Sequence, residues 1–285
     1  MTGTTKRPDI VMGIDPVRNG HLALAWAVDE ADRRGLALRL VAAVPPVHDP
    51  RHAGIPHHHA RAVDAEAALR TASEWAHGRR PGVRVTTTLV DGVPSRVLTG
   101  LSAEAAMVVL GSRHLSRTEE YLSAGSLVVP VTAQARCPVV VVGDAEHGTQ
   151  DPPYLVVGID GSESSRAALA QALDEADLRR CALRAIAVRQ APVFSLPTGD
   201  SLFHAERRLL SETTAGWAQK YPDVRLTHEV IAGSPVEVLA EAAEHSLALV
   251  VGRRGHGGYS GMRLGSVVHG LLHRAHCPVI TVPVG

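Results

Sequence analysis

This chain is one unit written twice. Residues 10–44 read IVMGIDPVRNGHLALAWAVDEADRRGLALRLVAAV, and residues 155–189 read LVVGIDGSESSRAALAQALDEADLRRCALRAIAVR. They align without gaps at an offset of 145, which places Asp15 on Asp160 and the DEAD of 29–32 on that of 174–177. Further on, DGVPSRVL (91–98) matches AGSPVEVL (232–239), MVVLGSR (107–113) matches LVVGRR (249–254), and RCPVVVV (136–142) matches HCPVITV (276–282). A repeat of this length is a domain, not a solenoid turn. With 285 residues, the chain divides into 1–143, a polar linker at 144–154 carrying Pro152-Pro153, and 155–285.

Within each copy, short β-branched runs bounded by turn residues (10–14, 83–89, 106–110 and 138–142 in the first) alternate with stretches of helical periodicity such as Leu22, Ala25, Trp26 and Ala31. Gly35 stands where a helix would end, and Pro94 and Pro235 stand at first-turn positions. Strands apolar on both faces and alternating with helices imply an α/β fold: two tandem open parallel sheets, five strands and four helices per copy, with helices on both faces. Only 3% of residues are aromatic against 45% hydrophobic, so Ala, Val and Leu must supply the packing.

In such sheets ligands bind beyond the carboxyl ends of the strands. In the second copy that region reads GRRGHGGYSGMRLGSVVHGLLHRA (252–275). The spacing is Gly252, two residues, Gly255, nine residues, then Gly265-Ser266 at the start of a helix. Glycines free backbone N–H groups to turn toward one point, and a helix N-terminus adds unpaired N–H groups and partial positive charge. With Arg253, Arg254 and Arg263 nearby, this is an anion site suited to a polyphosphate. It is neither the dinucleotide GxGxxG nor a Walker A loop, since the only lysines are Lys6 and Lys220.

On these residues the chain resembles the universal stress protein family, as a tandem member whose second domain is of the ATP-binding type. The carriers are GID at 13–15 and 158–160 and the G-x2-G-x9-G-S loop. The resemblance implies a Rossmann-like fold of the nucleotide-binding alpha hydrolase-like kind and a stress-response regulatory role, with ATP and Mg2+ held mainly by the second domain. It implies that Gly158, Asp160 and Gly161 form the strand-one edge that meets adenine and ribose, and that Val188 lines the adenine pocket. Gly252, Arg254, Gly255, His256 and Gly258 would form the phosphate loop, and Gly265, Ser266 and Val267 the helix start that meets the phosphates. Asp160 has a rival role as a turn-former at the next helix, where Ser162 and Ser164 compete with it for the cap.

The first copy departs from the pattern. His114 replaces the second loop glycine, ten residues instead of nine precede Gly125-Ser126, and Glu119-Glu120 bring negative charge. Pro16 follows Asp15 and removes a backbone donor. Weak or absent nucleotide binding is expected of this half. No positioned general base is evident, so no enzyme role is assigned and any ATP hydrolysis is expected to be slow. The alternative is a nucleotide-free, pseudo-dimeric interaction scaffold.

Lys+Arg and Asp+Glu balance at 29 each, which removes the field that nucleic acid or an anionic membrane would require. No apolar run approaches a membrane span, no signal peptide is evident, and Cys137, Cys181 and Cys277 form neither a disulfide framework nor a zinc site. A cytoplasmic protein is expected. Cys137 and Cys277 read as buried strand-entry residues. His48, His52, His57, His58 and His59 read as part of a solvated connection, with no metal site assigned. The apolar strands 138–142 and 278–282 would invite aggregation if left as open edges, so the two halves are expected to pair through them, with higher oligomers left open.

Overall fold

The computed structural model describes residues 8–17, 20–46, 54–112, 127–189, 204–256 and 263–284. The described residues up to Asp144 form one unit, and those from Ala145 onward form a second.

In the first unit the β-branched runs become β1 (Ile10–Gly13), β2 (Leu38–Val44), β3 (Val85–Asp91), β4 (Met107–Ser112) and β5 (Val139–Gly143). Between them lie α1 (His21–Arg34), α2 (Gly54–Arg79), α3 (Pro94–Leu101) and α4 (Val128–Gln134). The strands run parallel in the order β3-β2-β1-β4-β5. Side chains alternate between faces along a strand, so the four consecutive buried residues Met107–Leu110 require cover on both faces of the sheet. Helix α1 packs on β1, β4 and β5, and α2 on β2 and β3. Gly35 ends α1 in the left-handed conformation, φ 60° and ψ 35°, and its N–H closes on Asp32 O at 3.1 Å.

The second unit repeats this plan with β6 (Tyr154–Ile159), α5 (Glu163–Arg179), β7 (Ala182–Arg189), α6 (His204–Thr214), α7 (Trp217–Lys220), β8 (Leu226–Ala232), α8 (Pro235–Ala242), β9 (Leu249–Gly252), α9 (Ser266–Arg274) and β10 (Val279–Val282). Its parallel order is β10-β9-β6-β7-β8. Pro94 and Pro235 both stand in the first turns of their helices, where a missing N–H costs nothing.

Three expectations shift in detail. β3 begins at Val85 instead of 83, because the Val83 N–H closes a turn onto Arg80 O at 3.1 Å. The second unit gains the short α7, set off from α6 by Gly216 at φ 83°. The histidine-rich connection is helical from Gly54 onward, so His57, His58 and His59 sit in α2. There the His58 ring meets the Asp91 carboxylate at 3.2 Å; His48 and His52 lie outside the described residues.

The DEAD repeat serves the core. Glu30 and Glu175 are both fully buried. Glu30 accepts from Arg33 at 2.7 Å and pairs with Arg34, while Glu175 accepts from Gln171 at 2.7 Å and pairs with Arg179. A buried carboxylate is tolerated only with such partners. All three cysteines are buried, and burial raises the Cys137 thiol to about 12 and the Cys277 thiol to about 11.

Candidate functional site

The strand order reverses direction of build between β6 and β9, so the carboxyl ends of these strands open the crevice where ligands bind in such sheets. Asp160 and Gly161 leave β6 there, Val188 lies near the end of β7, and Gly252 ends β9. Gly265 is the cap residue of α9, and Ser266 and Val267 are its first two residues. Gly258 lies outside the described residues.

The turn after β6 is built by local hydrogen bonding. The Asp160 Oδ1 accepts from the Ser162 N–H at 3.0 Å and from its hydroxyl at 2.6 Å. Ser162 is in turn the cap of α5, its Oγ accepting from the Ser165 N–H at 3.1 Å. Of the three candidates for that cap, Ser162 takes it. Gly161 connects the two at φ 82°, a conformation that L side chains rarely adopt, and a Cβ there would also lie 2.7 Å from Leu209 Cδ1.

The glycine loop is bedded on this turn. A Cβ on Gly252 would lie 2.5 Å from the Ser164 carbonyl carbon, and one on Gly255 would collide with Asp160 Oδ2. Ser164 supports the loop from below: its Oγ accepts from the Arg254 N–H at 3.3 Å and donates to Val282 O at 3.4 Å. The Arg253 N–H reaches Val282 O at 2.8 Å, the Gly265 N–H reaches Arg253 O at 3.0 Å, and Arg254 Nε donates to Arg263 O at 3.3 Å. The glycines are thus demanded by close approach of backbone and side chain, not by flexibility.

The His256 N–H donates to Asp160 Oδ2 at 3.1 Å. In this conformation that amide is turned toward a carboxylate of the protein, not toward open solvent. Protein crowding around Asp160 raises its pKa, but the hydrogen bonds from Ser162, Ser165 and His256 outweigh this and hold it below the usual carboxylate range. Burial, and then the neighbouring Arg254 charge, push the Arg253 guanidinium below the usual arginine range, a repulsion that an anion would relieve. Helix α9 begins without a side-chain hydrogen bond at its cap, so its first-turn N–H groups keep their capacity to face an anion.

The structure therefore brings Asp160, Gly161, Gly252, Arg254, Gly255, His256 and Gly265 into one arrangement, with Gly158 one residue inside β6 against Leu239 of α8 at 3.0 Å for a would-be Cβ. Val188 pairs with Ile231 in the β7–β8 ladder. The sequence offers Ser164 only as a rival for the cap, yet it is the residue on which the loop rests. The serine run at 162, 164 and 165 was the available signal. The first copy has Val17, Asn19 and Gly20 at those positions, and among the described residues a Cβ on Gly111, the counterpart of Gly252, would touch Ala23 Cβ at 3.6 Å and Gly20 Cα at 4.0 Å. The rest of its loop, residues 113–126, lies outside the described residues.

Two open parallel α/β units, the second with a glycine loop packed on the turn after its first strand, define the fold class, and comparison with known proteins narrows it. The model of the universal stress protein family matches residues 7–143 and again 154–283, and this chain belongs to that family as a tandem member. A universal stress protein of Mycobacterium tuberculosis is 34% identical over 292 residues, covering 98% of each chain. One from Mycolicibacterium smegmatis is 34% identical over 287 residues, covering 96% of each. Among solved structures, a universal stress protein from Archaeoglobus fulgidus shares the fold with a TM-score of 0.71 at 18% identity, covering 96% of each chain.

Proposed function

We propose that the second unit binds ATP as a sensing or regulatory ligand in a stress response, and that the first unit binds it weakly or not at all. The observation that carries this reading is the packing of Gly252 and Gly255 against Ser164 and Asp160, beside a helix start whose cap residue, Gly265, has no side chain to hold the first-turn amides. The residues fit the group. The amides at the start of α9 and the guanidinium groups of Arg253, Arg254 and Arg263 would take the phosphates. Asp160, held anionic, would accept from ribose hydroxyls, as a carboxylate does. Mg2+ would travel with the triphosphate and be held chiefly by its oxygens; the described residues hold no cluster of three or more metal-ligating side chains.

No catalytic role is assigned. The carboxylate nearest the loop is Asp160, and its hydrogen bonds make it a weak base. Any hydrolysis of ATP would be slow.

A second reading is favoured by one observation: the amides of Arg253, Arg254, His256 and Gly265 already have protein acceptors. On that reading the protein is a nucleotide-free interaction scaffold. Pairing of the two halves through 138–142 and 278–282, a cytoplasmic location and further oligomerisation belong to both readings; they rest on the apolar strands and on the lack, among the described residues, of any helix long and apolar enough to cross a membrane.

The deciding experiment is to purify the protein natively, denature it, and identify released nucleotide by mass spectrometry. About one adenine nucleotide per chain is expected at saturation, from the intact loop of the second half. Gly255→Val should abolish binding with the fold retained, because its first clash is with the end of a short side chain. Two nucleotides per chain would overturn the assignment of the halves, and none under saturating Mg-ATP would favour the scaffold.

A further inference from the structure

The two units differ at the opposite end of the sheet, near the amino ends of the strands. In the second unit Tyr154 opens β6 and its ring is buried. Its hydroxyl donates to Ala242 O at 3.1 Å, and the Arg184 guanidinium lies over the ring, 5.3 Å from its centroid. Arg184 is fixed there by both oxygens of Glu229, at 2.7 and 2.8 Å, and donates to Ala242 O at 3.2 Å.

The first unit keeps this frame and loses the ring. The strand registers correspond, Val11 on Arg39 and Val156 on Arg184. The Ala106 N–H reaches Asp9 O at 2.9 Å, as the Leu247 N–H reaches Tyr154 O at 2.9 Å. Asp9 therefore stands where Tyr154 stands, Arg39 where Arg184 does, and Leu101 where Ala242 does. Glu229 pairs with Ile186 in the ladder; its counterpart, paired with Val41, is Thr88. Without that glutamate Arg39 turns to Asp9, at 2.6 Å. The exchange of a phenol ring for a short carboxylate is accompanied by a cavity of about 320 Å³, lined by Asp9, Val11, Arg39, Leu101, Glu104 and Ala105. This is within the size range of small-molecule sites, and it combines apolar walls with a few polar groups.

We propose that this cavity is a binding site for a small phenol carrying an ammonium group. The second unit shows what the frame accepts: a phenol ring stacked on an arginine, with its hydroxyl on a backbone carbonyl. In the first unit the ring would stack on Arg39 and its hydroxyl would find Leu101 O. The two carboxylates, Asp9 and Glu104, outnumber the one guanidinium and select a positive substituent. The site is separate from the glycine loop and does not depend on nucleotide binding.

The test uses the full-length protein and tyramine as probe, followed by calorimetry and saturation-transfer NMR with and without Mg-ATP. One tyramine per chain is expected, bound equally with and without nucleotide, and about tenfold more tightly than 4-hydroxyphenylacetate or phenethylamine, each of which lacks one matched group. Asp9→Tyr should rebuild the ring of the second unit, abolish tyramine binding and raise the melting temperature; Asp9→Tyr combined with Thr88→Glu restores the arginine's anchor should the single change unfold the unit. The exposed Glu104→Gln should leave the fold intact and reduce the preference for tyramine over 4-hydroxyphenylacetate. No binding to the native protein, binding that survives Asp9→Tyr, or no preference for the ammonium compound would each overturn the proposal.

Discussion

At the residue scale, Asp160 is the hinge of the candidate nucleotide site. It joins the end of β6 to the loop after β9 by accepting from Ser162 and His256. The sequence places this aspartate at a strand end and does not specify its partner. Which donor it takes depends on how a loop almost a hundred residues later returns, and no local pattern carries that information. Its folded pKa lies below the ~3.9 of an unfolded aspartate, so its contribution to stability is complete above about pH 4 and is lost as pH falls through the lower folded value. Asp160→Asn should remove part of this acid sensitivity. Because the carboxylate is partly exposed, the loss at neutral pH should stay within about 1 kcal/mol, as measured by urea unfolding at pH 7 and pH 3. An unchanged slope of stability with pH would contradict the assigned role.

At the scale of elements, the serine cap distinguishes the two copies of the first helix. Helix α5 starts at Glu163, directly after Ser162, whereas α1 starts at His21, the counterpart of Arg166. Val17 takes the place of the serine and has no oxygen with which to hold an N–H. Ser162→Ala should cost about 1 kcal/mol and loosen the loop, seen as faster hydrogen exchange at Arg254 and His256; exchange unchanged at those amides would separate the cap from the loop. Strands were the most legible elements, since β-branched runs between turn residues need little context. The helical character of residues 54–59 was not, because a histidine-rich segment with Pro56 has weak helical propensity; the helix it opens, α2, packs on β2 and β3, strands distant from it in sequence.

At the scale of the whole molecule, the tandem organisation was plain from the repeat alone, since an offset maintained over tens of residues specifies the same fold twice. What the repeat concealed is where the copies part, at Ser164 beneath the loop and at Asp9, the counterpart of Tyr154. These are single exchanges whose meaning lies in three-dimensional neighbours. If the halves differ in nucleotide binding, Mg-ATP at about 100 times its Kd should stabilise the second unit by about 2.7 kcal/mol and leave the first unchanged. Hydrogen exchange resolved by segment would show slowing confined to residues after Ala145. Equal slowing in both halves would mean that nucleotide acts on each.

The donation of the His256 amide to Asp160 has a thermodynamic corollary. An incoming phosphate that uses this amide gains only the difference between the new hydrogen bond and the one it replaces, while Asp160 must find another donor. Such an exchange favours moderate affinity and ready release. A protein built this way would follow the rise and fall of its ligand's concentration in the cell instead of remaining permanently loaded.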